Sequence, residues 1–358
     1  MNLEEKGSLC ISAGVEHSLV IKNGRLFAWG SNEFGQLGLG DFRDRETPTC
    51  VGSHSDWEDV SAGGQSTLAI RAGQLFAWGL NECGQLGLAV SSLPSALPIR
   101  VGAEAGWSKV VAGENAAVAI KDGELWGWSW RLDSPFSDPP PPSTSLPRSA
   151  PSRIGSLSGW TNIAMGLNHN LAIRNGELWA WGLNWNGQLG LSAVTEAAFP
   201  VRVGKFSDWT HISAGADCSM GLRAGKLFAW GRNDRGQLGL GDRILRTSPT
   251  QVGPRFDWTS ICLAEKAAIG VANGSLFFWG DDNFGHNSTG FRCIYEPSRF
   301  DGSFDWEDVS ARWMHLLAVK NGELFAWGDN YSGQLGNENG ESLNSPVRIY
   351  LPTESLLR

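Results

Sequence analysis

Ile11-Ser12-Ala13, Ser18-Leu19-Val20-Ile21 and Leu26-Phe27-Ala28-Trp29 are short β-prone runs separated by turns, and they predict three successive strands. Between the second and third lies Asn23-Gly24, and the same slot later holds Ala72-Gly73, Asp122-Gly123, Asn175-Gly176, Ala224-Gly225, Asn273-Gly274 and Asn321-Gly322. Such pairs suit a two-residue hairpin that needs positive φ. A fourth strand is expected to open with proline, as in Pro98-Ile99-Arg100-Val101 and Pro346-Val347-Arg348-Ile349, where proline and a mid-strand cation protect a sheet edge. The inner strands are apolar on consecutive positions, as in Leu171-Ala172-Ile173 and Leu227-Phe228-Ala229-Trp230, so both of their faces must be covered. A four-stranded sheet sandwiched between two like sheets is a propeller blade. Small Ala28, Ala77, Ala180, Ala229 and Ala326 between bulky aromatics let neighbouring blades interdigitate.

The unit is copied. Trp-Gly returns at Trp29, Trp78, Trp181, Trp230, Trp279 and Trp327, with Trp-Ser at Trp128, at intervals of 49, 50, 53, 49, 49 and 48 residues. A second column, Trp57, Trp107, Trp160, Trp209, Trp258 and Trp306, starts each new unit, so most of the tryptophan is assigned to packing. Units this small cannot each bury a core and must pack on one another. The expectation is all-β: a seven-bladed β-propeller of four-stranded antiparallel blades, one domain over residues 1–358 in repeats of about 50 residues. Because the chain enters a repeat at Leu9-Cys10-Ile11-Ser12 and leaves on the proline-led Pro346 segment, the ring is expected to close by pairing of the N- and C-terminal strands.

Charge narrows the function. Charged residues are 18% of the chain and the net charge is -8, which gives no electrostatic reason to bind nucleic acid. No stretch has membrane-spanning length and the first residues lack a signal-peptide pattern, so a soluble protein is expected, cytoplasmic or part of a particle assembled there. Six cysteines fall at unrelated repeat positions without CxxC pairing and read as reduced thiols.

Gly24-Arg25-Leu26-Phe27-Ala28-Trp29-Gly30-Ser31-Asn32, closed by Gly35-Gln36-Leu37-Gly38 and preceded by Ser12-Ala13-Gly14 and His17, resembles the repeat of the regulator of chromosome condensation family. GQLG recurs at 84–87, 187–190, 236–239 and 333–336, and the resemblance covers nearly the whole chain. It implies a seven-bladed propeller and no single activity, since related propellers serve as guanine-nucleotide exchange factors, an ultraviolet receptor and ubiquitin-ligase modules. The receptor's Gly-Trp-Arg-His-Thr motif is replaced here by Gly106-Trp107-Ser108-Lys109 and Gly159-Trp160-Thr161-Asn162.

Candidate chemistry shrinks once the repeat is recognised. The position of His17 is matched by Ser66, Ala116, His169, Cys218, Ala267 and His315, which reads as structural hydrogen bonding; neither a metal nor a cofactor is assigned. Lys22, Arg71, Lys121, Arg174, Arg223 and Lys320 precede the hairpins and are read as a charge ring balanced by acids such as Glu124, Glu177 and Glu323. No nucleophile elbow or catalytic carboxylate pair stands outside the repeat, so no enzyme is expected.

The informative positions are the breaks in the pattern. In the third unit residues 129–153 replace GQLG with a proline-rich loop carrying Trp130, Arg131, Asp133 and Phe136. In the sixth, His286 stands within the replaced motif, and in the seventh Arg312-Trp313 replaces a glycine and its neighbour. These residues, with Trp126 and Trp185, are the candidate partner contacts. The expected function is a noncatalytic protein–protein recognition or assembly module, including a structural component of a larger bacterial or phage particle. The alternative is an exchange factor for a small GTPase, because in the founding family member an insertion after a Trp-Gly strand acts as a wedge.

Overall fold

A computed structural model describes residues 9–91, 93–128, 149–281, 293–300 and 302–352. Blade one consists of β1 (Leu9–Ala13), β2 (His17–Lys22), β3 (Arg25–Gly30) and β4 (Arg45–Cys50), hydrogen-bonded in that order. Six further antiparallel sheets of four strands follow, ending with β25 (Trp306–Arg312), β26 (His315–Lys320), β27 (Glu323–Gly328) and β28 (Leu343–Ile349). Together they form the seven-bladed propeller. Among the described residues no helix is long and apolar enough to cross a membrane.

The local signals act as their chemistry demands. Asn23 (φ 51°) and Gly24 (φ 73°) both take the left-handed conformation, and the other six hairpins repeat it. The prolines differ from expectation: Pro48 lies inside β4, three residues past its start. Thr49 pairs with Ala28 and Arg45 with Gly30, so Glu46, Thr47 and Pro48 bulge opposite Trp29. Proline has no N–H to give the ladder, and the bulge removes that demand.

The Trp-Gly column lies at the joints between blades. Trp29, Trp78, Trp128, Trp230 and Trp279 are fully buried, and each donates its indole N–H to the main-chain carbonyl of the glutamine in the preceding blade's GQLG loop, at 2.8–3.0 Å. The loop is built to present that carbonyl. Asn32 Oδ1 accepts from Leu37 N at 3.0 Å and Gln36 Oε1 from Phe34 N at 2.9 Å, while Gly38 allows the loop to lie against the ring: a Cβ there would meet Trp78 Nε1 at 2.8 Å. The second column packs edge-on within its own blade, as Trp57 does against Phe76 (5.5 Å) and Trp78 (6.0 Å).

Closure uses the same joint. β1 pairs with β2, and β28 with β27, so the terminal strands belong to different sheets and do not pair with each other, contrary to expectation. Each blade is contiguous in sequence, which leaves no strand to be shared. Blade seven instead packs face-on against blade one, with Trp29 Nε1 and Ser18 Oγ donating to Gln334 O at 2.8 and 2.7 Å and Ala13 N donating to Ser310 Oγ at 3.0 Å.

Among the described residues, the joint between blades three and four lacks the bond. Blade three has no GQLG, and the buried indole N–H of Trp181 in blade four finds no acceptor among the described residues. Trp78→Phe and Trp181→Phe remove comparable ring area, but only the first removes a made hydrogen bond. Trp78→Phe is therefore expected to lose about 1 kcal/mol more stability than Trp181→Phe in denaturant unfolding; equal losses would show that the indole bond does not hold the joint.

Candidate functional site

The first strand of each blade lines the axis. Ser12, Ser61, Ser213 and Ser310 Oγ each accept a backbone N–H from the next blade, at 2.8–3.0 Å, and Cys262 Sγ accepts from Ala311 N at 3.2 Å. Burial pushes the Cys262 thiol up to about 11 and Cys218 to about 12, so both stay protonated and inert as nucleophiles. All six cysteines are free thiols.

The histidines belong to the joints. His17 Nε2 lies 3.1 Å from Thr67 Oγ1, whose hydroxyl donates to Gln36 O at 2.7 Å. His169 repeats this with Ser219 and Gln188, and His315 with Ser18 and Gln334. Since the hydroxyl proton goes to the carbonyl, the imidazole must donate from Nε2, leaving Nδ1 as a bare lone pair; in all three rings that atom is buried without a partner. A proton added there would have no acceptor, and desolvation accordingly lowers the pKa of His17 and His169 to about 3 and of His315 to about 4. Each histidine faces a hydroxyl in the following blade, a pairing legible in sequence only when residues 50 apart are compared.

At the end of the axis bearing the loops between strands one and two and between strands three and four, the first strands enclose a cavity of about 410 Å³. Arg312, in the slot held by Gly14 in blade one, extends into it from blade seven. Its Nη1 donates to Ala62 O and Ala112 O, both at 3.0 Å, in blades two and three. Trp313 follows with φ 53° and 46% exposure, a left-handed conformation that a bulky residue adopts under strain.

Trp185 lies on the same end, in the loop after the third strand of blade four, 74% exposed. Its loop position holds Glu33, Glu82 and Asp234 in other blades and Tyr331 in blade seven, which is 88% exposed. Tyr331 escaped the sequence reading, although comparing that loop column would have found it. Trp126 is placed elsewhere: it occupies the packing position of Phe76 and Trp179, half-buried and edge-on to Trp107 at 5.8 Å. Trp130, Arg131, Asp133, Phe136 and His286 lie outside the described residues, as does most of the 129–153 loop.

The opposite end carries the basic ring, and its charges are largely paired. Arg71 meets Asp56 at 3.7 Å, Lys121 meets Glu104, Arg223 meets Asp208, and Arg174 meets Glu177 at 3.8 Å. Glu124 and Glu323 pair with Arg153 and Arg348 at 2.9 and 2.8 Å. Several of these cations also stack on rings, as Arg223 does on Phe206.

The model of the regulator of chromosome condensation (RCC1) repeat matches residues 23–70, 72–120, 175–222, 224–265 and 321–356, more than half of the chain. The chain belongs to the RCC1 repeat family. Each matched segment begins at or beside a hairpin, half a blade out of step with the sheets, and the unmatched stretches 121–174 and 266–320 contain the sequences that replace GQLG. Human WBSCR16 is similar in structure, with TM-score 0.82 and 20% identity over 92% of this chain and 96% of that one. Prp20p of Saccharomyces cerevisiae, studied with its binding to Gsp1p and histones, has TM-score 0.76 and 22% identity over 91% of this chain and 85% of its own. At such identities the likeness is one of fold.

The joint histidines set an acid dependence. Above about pH 6.5 each imidazole is neutral in the folded and unfolded chain alike and contributes nothing to pH dependence. Below that value the unfolded chain takes up a proton that folded His169 refuses until about pH 3, so stability falls as pH falls through this window. His169→Gln, which keeps an N–H donor for Ser219, is expected to lose less stability than the parent between pH 6.5 and about 4 in denaturant titrations; an unchanged slope would count against a neutral His169.

Proposed function

We propose that this propeller is a noncatalytic recognition or assembly module that binds a protein partner through the end carrying the Arg312–Trp313 turn and the loops after the third strands. Two exposed aromatics at the loop end carry this reading. On the loop end, Trp185 and Tyr331 replace acidic residues at equivalent turn positions and make no ring or cation contact with the described residues. Both ends pair cations with acids, as Arg223 with Asp208 at the hairpin end and Arg246 with Asp242 at the loop end, and the hairpin end also stacks several on exposed rings. Isolated aromatics on rigid turns are suited to anchoring a partner, because little conformational entropy is lost when they are buried. The family supplies rigid propellers suited to protein–protein interaction.

Exchange on a small GTPase is the second reading. It is favoured by the insertion that follows Trp128 in the sequence, where the third strand of blade three ends, and by the fold shared with Prp20p.

In affinity capture with mass-spectrometric identification, Trp185→Ser combined with Tyr331→Ser is expected to weaken partner retention at least about tenfold, equivalent to about 1.4 kcal/mol. Phe256→Ser, at an exposed position on the opposite end, should leave it unchanged. Loss through Phe256→Ser alone would move the interface to the hairpin end. Accelerated nucleotide release from a captured GTPase would select the second reading.

A further inference from the structure

The guanidinium of Arg312 is only partly used. Its Nη1 is committed to Ala62 O and Ala112 O, whereas Nε and Nη2 make no hydrogen bond to any described residue, and Arg312 forms no ion pair among them. Neither nitrogen is among the sealed, partnerless polar atoms. Nε–H and one Nη2–H run parallel, and this edge of a guanidinium forks a carboxylate with two charge-assisted hydrogen bonds.

The surroundings favour such a ligand. The cavity is walled mainly by apolar groups from all seven blades, among them Ala13, Val111, Ile163, Ile212 and Leu263, and its volume falls in the range of small-molecule sites. Glu114 and Glu265 also line it: Glu114 is exposed and acts on the guanidinium from the rim, and Glu265, half-buried, lies 3.8 Å from Lys266. Solvent screens those rim charges, whereas the guanidinium acts from within an apolar wall, where its attraction for an anion is stronger. Trp313 holds a left-handed turn at the edge of this cavity, and backbone strain of that kind gathers at binding sites.

We infer that the axial cavity is a binding site for a carboxylate carried on an apolar stem, with the Nε/Nη2 edge of Arg312 taking the carboxylate and the first-strand walls taking the stem. Two sources share this chemistry: a free aliphatic acid, and the C-terminal residue of an apolar peptide. The site is independent of partner docking through Trp185 and Tyr331, and loss of that docking would leave it intact.

Octanoate is the first probe and octanamide its uncharged control, both titrated into the full chain by calorimetry. Octanoate is expected to bind at least about tenfold more tightly than octanamide. Arg312→Gln should abolish that preference, and Ala164→Phe, which fills the wall while leaving Arg312 in place, should weaken octanoate. Because Arg312→Gln also disturbs the bonds to Ala62 and Ala112, the Arg312 Nε–H resonance of the unsubstituted protein gives a second readout: it should shift with octanoate and not with octanamide. A Gly-Leu-Leu peptide with a free carboxylate, compared with its C-terminal amide, separates the two sources, and tighter binding of either acid identifies the ligand type. Equal binding of octanoate and octanamide, an unmoved Nε–H signal under saturating acid, or parent-like octanoate binding by folded Arg312→Gln would each overturn the inference.

Discussion

At five joints the ring depends on one main-chain carbonyl. The glutamine carbonyl of a GQLG loop is aimed out of its own blade and accepts the indole N–H of the next, as Gln36 does from Trp78 and Gln334 from Trp29. Each such joint hides a tryptophan. Its ring buries a large apolar area, but its N–H would be left unpaired in the same act, and an orphaned buried donor forfeits much of what burial gains. The loop resolves the conflict, and the asparagine and glutamine side chains that brace it are buried for the same reason.

Joints are consequently not equivalent. Blades one, four and seven add a histidine, which hands a hydrogen bond through the neighbour's hydroxyl to the same carbonyl. The joint between blades three and four has neither the carbonyl for Trp181 nor a hydroxyl, and Asn170 Oδ1 is unpartnered there as well. That joint also lacks the serine stitch near the axis, since Val111 occupies the Ser12 position in blade three. Arg312 provides a different kind of connection, because it links blades two and three to blade seven across the axis instead of around it.

Ion pairs form at both ends of the ring, as Arg71 with Asp56 at one and Arg45 with Asp41 at the other. At the hairpin end ion pairs and stacked arginines satisfy one another, so solvent and salt leave little for a partner to claim. At the loop end Trp185, Tyr331 and Trp313 are exposed around a half-committed guanidinium. Family membership accounts for the scaffold and leaves this end to be decided by individual side chains, which is where members of one fold diverge.

The sequence alone determined whatever depends on neighbours a few residues away. Asn23-Gly24 and its equivalents form hairpins because positive φ is a local preference, and the apolar runs around Trp29 and its counterparts became inner strands because nothing else covers two apolar faces. Only the tertiary structure decided the rest. Trp126 and Trp185 look alike as tryptophans, yet one lies edge-on to Trp107 and the other stands in a solvent-facing turn. Ring closure through Gln334 and Trp29 spans 305 residues, and the reach of Arg312 to Ala62 spans 250. Partners that distant are chosen by the curvature of seven stacked sheets, and no local pattern of apolar and polar positions encodes where a ring brings its ends and its axis together.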